Sequence, residues 1–174
     1  MRFLKATIRL LKNLKFSLKP KLLIIYGNYG GAGYSARYTY DKTTGNVYEL
    51  SEDGDFVLDN HIPYEIYLNF MLEKFKDCDP IDEFDCCFKL HDLDTNTNNI
   101  SDILSASHAL PINMARIDPC IYVCYPIIFT LGVIYFTTIG RLSKNPQHEQ
   151  IEEIIAYRET CKNQFNNKFG IKLI

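Results

Sequence analysis

The chain has 174 residues, 47% of them hydrophobic and 13% aromatic, which supports one domain with a real core and argues against a disordered chain. Its net charge of −2 excludes the broad basic footprint of a nucleic-acid-binding protein. The charge is uneven, however: Arg2, Lys5, Arg9, Lys12, Lys15, Lys19 and Lys21 stand near the start without an acid, and the acids gather between Asp41 and Asp102. A basic start suits an anionic surface, and an acidic middle suits cations.

Phe3, Leu4, Ile8, Leu10, Leu11 and Leu14 recur at helical spacing with lysines between them, which predicts an amphipathic helix over 2–16. Such a helix either packs one stripe on the core or lies on anionic lipid with its cations toward the headgroups. Pro20 ends it, so residues 1–21 read as a basic N-terminal helix and 22–174 as the main domain. The recurring lysines leave no apolar run long enough for a secretory signal, and export by another route or membrane association is the expectation. Leu22 to Tyr26 reads as a short buried strand that enters a glycine-rich loop, Tyr26-Gly27-Asn28-Tyr29-Gly30-Gly31-Ala32-Gly33-Tyr34-Ser35.

Beyond the loop, Tyr38-Thr39-Tyr40 and Asn46 to Leu50 flank Lys42-Thr43-Thr44-Gly45 as a small β-hairpin. A turn at Glu52 to Asp55 precedes a short strand, Phe56 to Leu58. A helix is expected from Pro63 to Lys76 with Ile66, Phe70, Leu72 and Phe75 inward, then another over Asp82 to Leu93 with Pro80 at its entry. Ile103 to Leu110 is a further helical stretch, punctuated by Pro111. Cys120 to Gly140 holds no charged residue and is about 20 residues long, so both a core helix and a membrane-inserted segment fit it. A last amphipathic helix spans Pro146 to Phe169, with Ile151, Ile154, Ile155, Cys161 and Phe165 inward. Cys78, Cys86, Cys87, Cys120, Cys124 and Cys161 match no zinc spacing, and both disulfides and free buried thiols fit them.

Two stretches carry chemistry. Glycines at 27, 30, 31 and 33 let backbone groups converge, either amides around a phosphate or carbonyls around a hard cation such as calcium. The phosphate option lacks its Gly-Lys-Ser/Thr ending and its third glycine before a helix. The carbonyl option needs a carboxylate from elsewhere, and Asp92 can supply it. On a helix His91 and Asp92 lie about 100° apart, so one can accept a proton while the other faces a cation. Asp82 and Asp85 read as first-turn carboxylates favoured by the helix dipole.

These residues also carry a resemblance. The loop from Tyr26 to Gly33, followed by Asp85-Cys-Cys-Phe-Lys-Leu-His91-Asp92, resembles the calcium loop and catalytic helix of the secreted phospholipase A2 superfamily. Pro80-Ile-Asp82-Glu-Phe-Asp85 is similar to the lead-in of its bacterial and viral branches, and Ala115-Arg-Ile-Asp118 to the segment that holds the dyad aspartate in bacterial and fungal members. The resemblance implies a mainly α fold: a phospholipase A2-like core of antiparallel helices carrying the dyad, with a calcium loop and a hairpin insert. It implies His91 as general base, Asp118 as its orienting acid, and Ca2+ held by Asp92 and the carbonyls of Tyr29, Gly31 and Gly33. The Gly31 amide would contribute to the oxyanion site. The implied activity is calcium-dependent hydrolysis of the sn-2 ester of glycerophospholipids at a phospholipid membrane surface, as in a bacterial toxin or effector with its own delivery or inhibitor protein.

The chain departs from the pattern at several points. Asn28 and Gly30 stand where animal members keep cysteines, Phe88 stands where a cysteine precedes the histidine, and Asp94 and Thr95 replace a supporting aromatic. The insert between Gly33 and Asp82 is long, and Pro119 follows Asp118 directly. Asp118 therefore also reads as a helix N-cap, with Asp102 the other dyad candidate. The alternative function is an inactive membrane-associated or lipid-binding protein on the same scaffold.

Overall fold

The computed structural model describes residues 8–19, 23–31, 33–95, 100–124 and 151–174. Helical backbone at residues 8–12 leads into β1 (Lys15–Ser17), which pairs antiparallel with β2 (Leu23–Ile25) as a two-stranded ribbon. A four-stranded antiparallel sheet follows in sequence order: β3 (Tyr34–Ser35), β4 (Tyr38–Asp41), β5 (Asn46–Leu50) and β6 (Phe56–His61). The other described elements are helical: α1 (Tyr64–Asp77), α2 (Glu83–Thr95), α3 (Ile100–Ile117), a 3-10 segment at Pro119–Cys124, and α4 (Ile151–Phe169).

Sheet and helices share one core. Tyr38, Tyr40 and Val47 are buried, and Tyr40 stacks on Tyr67 of α1 at 4.5 Å while Tyr38 meets Phe70 edge-on at 5.2 Å. Tyr67, Leu68, Met71, Leu72 and Phe75 form the buried stripe of α1 at helical spacing. Behind it, Phe84, Cys86, Cys87, Leu90 and Leu93 of α2 meet Ile154, Cys161 and Phe165 of α4. Each fully buried large side chain stabilises by about 1.5–3 kcal/mol, so this shared cluster couples the two layers.

The mainly α expectation is corrected by this architecture: the fold is mixed α/β, with antiparallel sheets of two and four strands beside the helices. The expected small hairpin recruits Tyr34–Ser35 at one edge and Phe56–His61 at the other, and its aromatic face covers α1. Residues 15–17, expected at the end of the first helix, instead form β1, because pairing with Leu23–Ile25 satisfies their backbone. Pro111 does not end its helix, since α3 runs through it with Leu110 and Met114 buried on either side. Ile66 and Ile155 point outward, at 54% and 51% exposure, while Tyr67 and Ile154 take the inward places. Most of the apolar 120–140 segment lies outside the described residues. Among those described, no helix is long and apolar enough to cross a membrane.

Candidate functional site

The site is built outward from the first turn of α2. Asp82 caps that helix, its Oδ1 accepting the N–H groups of Phe84 at 3.1 Å and Asp85 at 3.0 Å. Its Oδ2 accepts the Tyr26 hydroxyl at 2.5 Å. Asp85 has no exposed surface. Its carboxylate accepts the backbone N–H groups of Asn28 at 2.9 Å, Tyr29 at 2.9 Å and Ile81 at 3.0 Å. Burial pushes the Asp85 carboxyl up to about 6, outweighing the opposing pull of the three backbone donors.

That carboxylate shapes the glycine loop. Tyr26 and Gly30 exchange both backbone hydrogen bonds, at 2.6 and 2.8 Å, which closes a tight turn over Gly27, Asn28 and Tyr29. Gly27 has φ +56°, and a Cβ there would lie 2.5 Å from Asp85 Cγ. The position therefore demands glycine both for its backbone angle and for the approach of the carboxylate. Tyr34 donates its hydroxyl to the Gly27 carbonyl at 3.0 Å, and the Asn28 amide donates to the Asp79 carbonyl at 2.7 Å.

A second anchor lies beneath Tyr29. Lys89 is only 2% exposed, and its ammonium donates to the carbonyls of Phe75 at 2.7 Å and Cys78 at 2.9 Å, at the C-terminal end of α1. The Tyr29 hydroxyl reaches the Cys78 carbonyl at 2.5 Å, and the Tyr157 hydroxyl reaches that of Phe75 at 2.8 Å. The ammonium lies 5.2 Å from the Tyr29 ring centre and 5.5 Å from that of Tyr157. Burial lowers the Lys89 pKa, and the negative end of α1 is where such a cation is best tolerated.

Two turns further along α2 stand His91 and Asp92, whose side chains each keep 15% exposure. His91 Nδ1 lies 3.4 Å from Asp92 Oδ1, and the Ser35 hydroxyl donates to Asp92 Oδ2. Ser35 is held there by the β3–β4 turn, in which Ala36 and Arg37 both take positive φ, at 48° and 71°. Two consecutive left-handed residues give the turn its hairpin hand, and without glycine they store strain beside the site. The Arg37 N–H donates to the Asn28 carbonyl at 3.0 Å, which ties this turn to the glycine loop.

Asp118 follows the last residue of α3 and is fully buried. It caps the 3-10 segment, its Oδ1 accepting the Cys120 N–H at 3.0 Å. Arg158 of α4 bonds both oxygens of Asp94 on α2 at 2.9 and 3.1 Å and donates to the Ile174 carbonyl at 3.0 Å. The same carbonyl accepts the Asn113 amide at 3.0 Å. This chain of bonds sets the last turn of α2, just past His91, beside the part of α3 that leads into Asp118.

Among the described residues no three His, Cys, Asp or Glu side chains gather around a metal position, so a cation here would rest mostly on backbone and hydroxyl oxygens. The donor set fits a hard ion in kind: the Asp92 carboxylate, the Ser35 hydroxyl and the loop carbonyls are all oxygens. The Gly33 carbonyl accepts the Thr39 hydroxyl at 2.7 Å and the Gly31 carbonyl accepts the Tyr34 N–H at 3.2 Å, each retaining a second lone pair. Sequence reasoning placed Asp85 in the first turn of its helix but not as the anchor of the glycine loop, and it missed Lys89, Ser35 and Arg158. Asp85 alone had a local signal, a carboxylate at the third position of a helix already capped by Asp82. The other three work through partners more than 10 residues away.

Comparison with known proteins finds a relative over most of the chain. The chain belongs with the uncharacterized protein R213 of Acanthamoeba polyphaga mimivirus, to which it is 48% identical over 141 residues, 81% of this chain and 99% of that protein. No family model and no solved structure matches it.

Proposed function

We propose that the chain is a calcium-dependent hydrolase of the sn-2 ester of glycerophospholipids, acting at a membrane surface. The observation that carries this reading is that loop N–H groups donate to Asp85 and the Ser35 hydroxyl donates to Asp92, which ties the glycine loop and the β3–β4 turn to the helix that carries His91 and Asp92. A proton acceptor and a cation-binding carboxylate on adjacent residues, beside a loop rich in carbonyls, are the parts that ester hydrolysis by water requires.

His91 takes a proton from a water molecule as the water oxygen attacks the ester carbonyl. It then returns that proton to the leaving lysophospholipid oxygen as the ester C–O bond breaks. Asp118 keeps the imidazole in one tautomer and stabilises its charged form. Asp92, with the carbonyls of Tyr29, Gly31 and Gly33, would hold Ca2+, and the Gly31 N–H would add a donor to the oxyanion site. Bound calcium would polarise the ester carbonyl and offset the charge that develops on its oxygen. Ser35 keeps the Asp92 carboxylate turned toward the loop, and Asp85 keeps the loop formed.

The test is release of fatty acid from phospholipid vesicles with calcium and with chelator. The expected result is release that needs calcium and is lost in His91→Ala. Release that persists in chelator sinks the mechanism. Calcium titration of wild type and Asp92→Asn checks the cation separately, and equal affinity would remove Asp92 from the site. The second reading, a lipid-binding protein without turnover, draws support from the protein donors already engaging the Gly31 and Gly33 carbonyls. It predicts vesicle binding without hydrolysis at any calcium concentration.

A further inference from the structure

The described residues include 12 large hydrophobics with high exposure, and Ile8, Leu11, Phe16, Leu18 and Ile24 place five of them within residues 8–24. The register of the β1–β2 ribbon accounts for this concentration. Phe16 lies directly opposite Ile24, and opposed residues of an antiparallel pair share one face. Phe16 is 72% exposed, Ile24 51%, and Leu18, just past β1, 80%. The next residue of β2 behaves in the opposite way: Ile25 is buried in a cluster with Tyr34, Leu50 and Phe56. The ribbon is thus anchored through one side and presents the other as an apolar face, an arrangement that marks an interaction surface.

Charge identifies the partner. No acidic residue precedes Asp41, and Lys12, Lys15 and Lys19 are exposed in the same segment, Lys15 on the ribbon face away from Phe16 because it pairs with Ile25. Arg9, the other described cation of this segment, is held by Asp82 and Glu83 at 3.4 and 2.7 Å, which fastens the segment to α2. The contrasting exposed pair, Val57 and Leu58, sits among Asp53, Asp55 and Asp59 and would be repelled by an anionic surface. Apolar tips interleaved with lysines are what a lipid boundary accepts: the tips enter the acyl region and the ammonium groups reach anionic headgroups. The face is also continuous with the candidate site. β2 runs straight into Tyr26, and a Cβ on Gly31 would lie 2.7 Å from the Ile24 carbonyl, so the loop folds back against the ribbon.

We infer that the β1–β2 ribbon is the docking element of this protein and that its partner is a lipid surface of net negative charge. The inference deepens the hydrolase reading, resting on it for what docking serves but not for docking itself. Phe16, Leu18 and Ile24 enter the boundary, Lys12, Lys15 and Lys19 engage headgroups, and the glycine loop is carried to the lipid behind them.

The experiment is co-sedimentation of the full chain with vesicles of phosphatidylcholine alone or mixed with phosphatidylglycerol. Binding to the mixed vesicles is expected to exceed binding to pure phosphatidylcholine by about tenfold or more. Phe16→Ser/Leu18→Ser and, separately, Lys12→Glu/Lys15→Glu are each expected to lower binding to mixed vesicles by about tenfold, with far-ultraviolet circular dichroism unchanged. Val57→Ser/Leu58→Ser, which removes equal exposure elsewhere, is expected to bind as wild type. Wild-type binding by the Phe16/Leu18 variant, equal loss in the Val57/Leu58 variant, or no preference for the mixed vesicles would overturn the inference. A chain that binds mixed vesicles but releases no fatty acid sinks the hydrolase reading alone. A chain that hydrolyses dispersed short-chain phospholipid yet ignores anionic vesicles sinks the docking inference alone.

Discussion

The two ends of α2 carry carboxylates in contrasting surroundings. At the first turn Asp85 is fully buried and gives both oxygens to backbone N–H groups from two other segments, so it serves as the post around which the glycine loop is wound. Two turns later Asp92 keeps partial exposure and is met by one hydroxyl from β3 and by the neighbouring imidazole. A carboxylate saturated with backbone donors has no capacity left for a substrate, and its removal is felt as lost structure. One that shares its oxygens with a hydroxyl at the surface can exchange that partner for a ligand. In the proposed hydrolase, the contrast divides the site into a part that holds and a part that reacts.

The largest expected effect lies at the reacting end. His91→Ala should lower fatty-acid release by about 10²–10⁴-fold while leaving the urea midpoint near wild type. A large loss of stability with turnover retained would reverse the division. At the holding end, Gly27→Ala forces a left-handed alanine against Asp85 and should cost about 2–4 kcal/mol in urea unfolding. If that variant unfolds like wild type, the Asp85 post is not what shapes the loop.

Asp85→Asn exchanges one acceptor for a donor facing backbone N–H groups and should cost about 1–3 kcal/mol at neutral pH. It also changes the pH dependence of stability. The folded Asp85 carboxyl, at about 6, lies above its ordinary 3.8, so between these values the folded chain binds more protons than the unfolded one. The contribution of this group is then full below 3.8 and is lost as pH rises through 6. The stability advantage of wild type over Asp85→Asn should therefore shrink from pH 4 to pH 7, and urea titrations across that window that show it growing would contradict the buried carboxyl. The smallest effect belongs to Arg9→Ala, whose partly exposed pairs with Asp82 and Glu83 should contribute less than about 1 kcal/mol and fade with salt.

Local signals made much of the fold legible. The hairpin around Lys42 to Gly45 follows from turn residues between alternating aromatics, α1 and α4 follow from apolar spacing, and α2 follows from Pro80 at its entry. Errors arose where a distant partner decided the outcome. Residues 15–17 had helical spacing, but Leu23–Ile25 offered a strand to pair with. The choice between Ile66 and Tyr67 for the inward face of α1 depended on Tyr40 being there to stack. Pro111 looks like a stop until flanking Leu110 and Met114 are both buried. The sheet was underestimated for the same reason, because the strand character of Tyr34–Ser35 exists only through its pairing with Tyr38–Thr39.

The sequence by itself determined the glycine loop, the His91–Asp92 pair and the basic, acid-free start of the chain, since these are matters of residue type and short spacing. It also determined that Gly27 and Asp85 are present, but not that they meet. Only the tertiary structure decided that Asp85 is the post of the loop, that Lys89 sits buried among carbonyls at the end of α1, and that Ser35 and Arg158 reach α2 from other elements. The physical reason is common to all of these: a buried polar group must find its partners wherever the chain brings them. Those partners lie up to 64 residues away, beyond the reach of any local pattern.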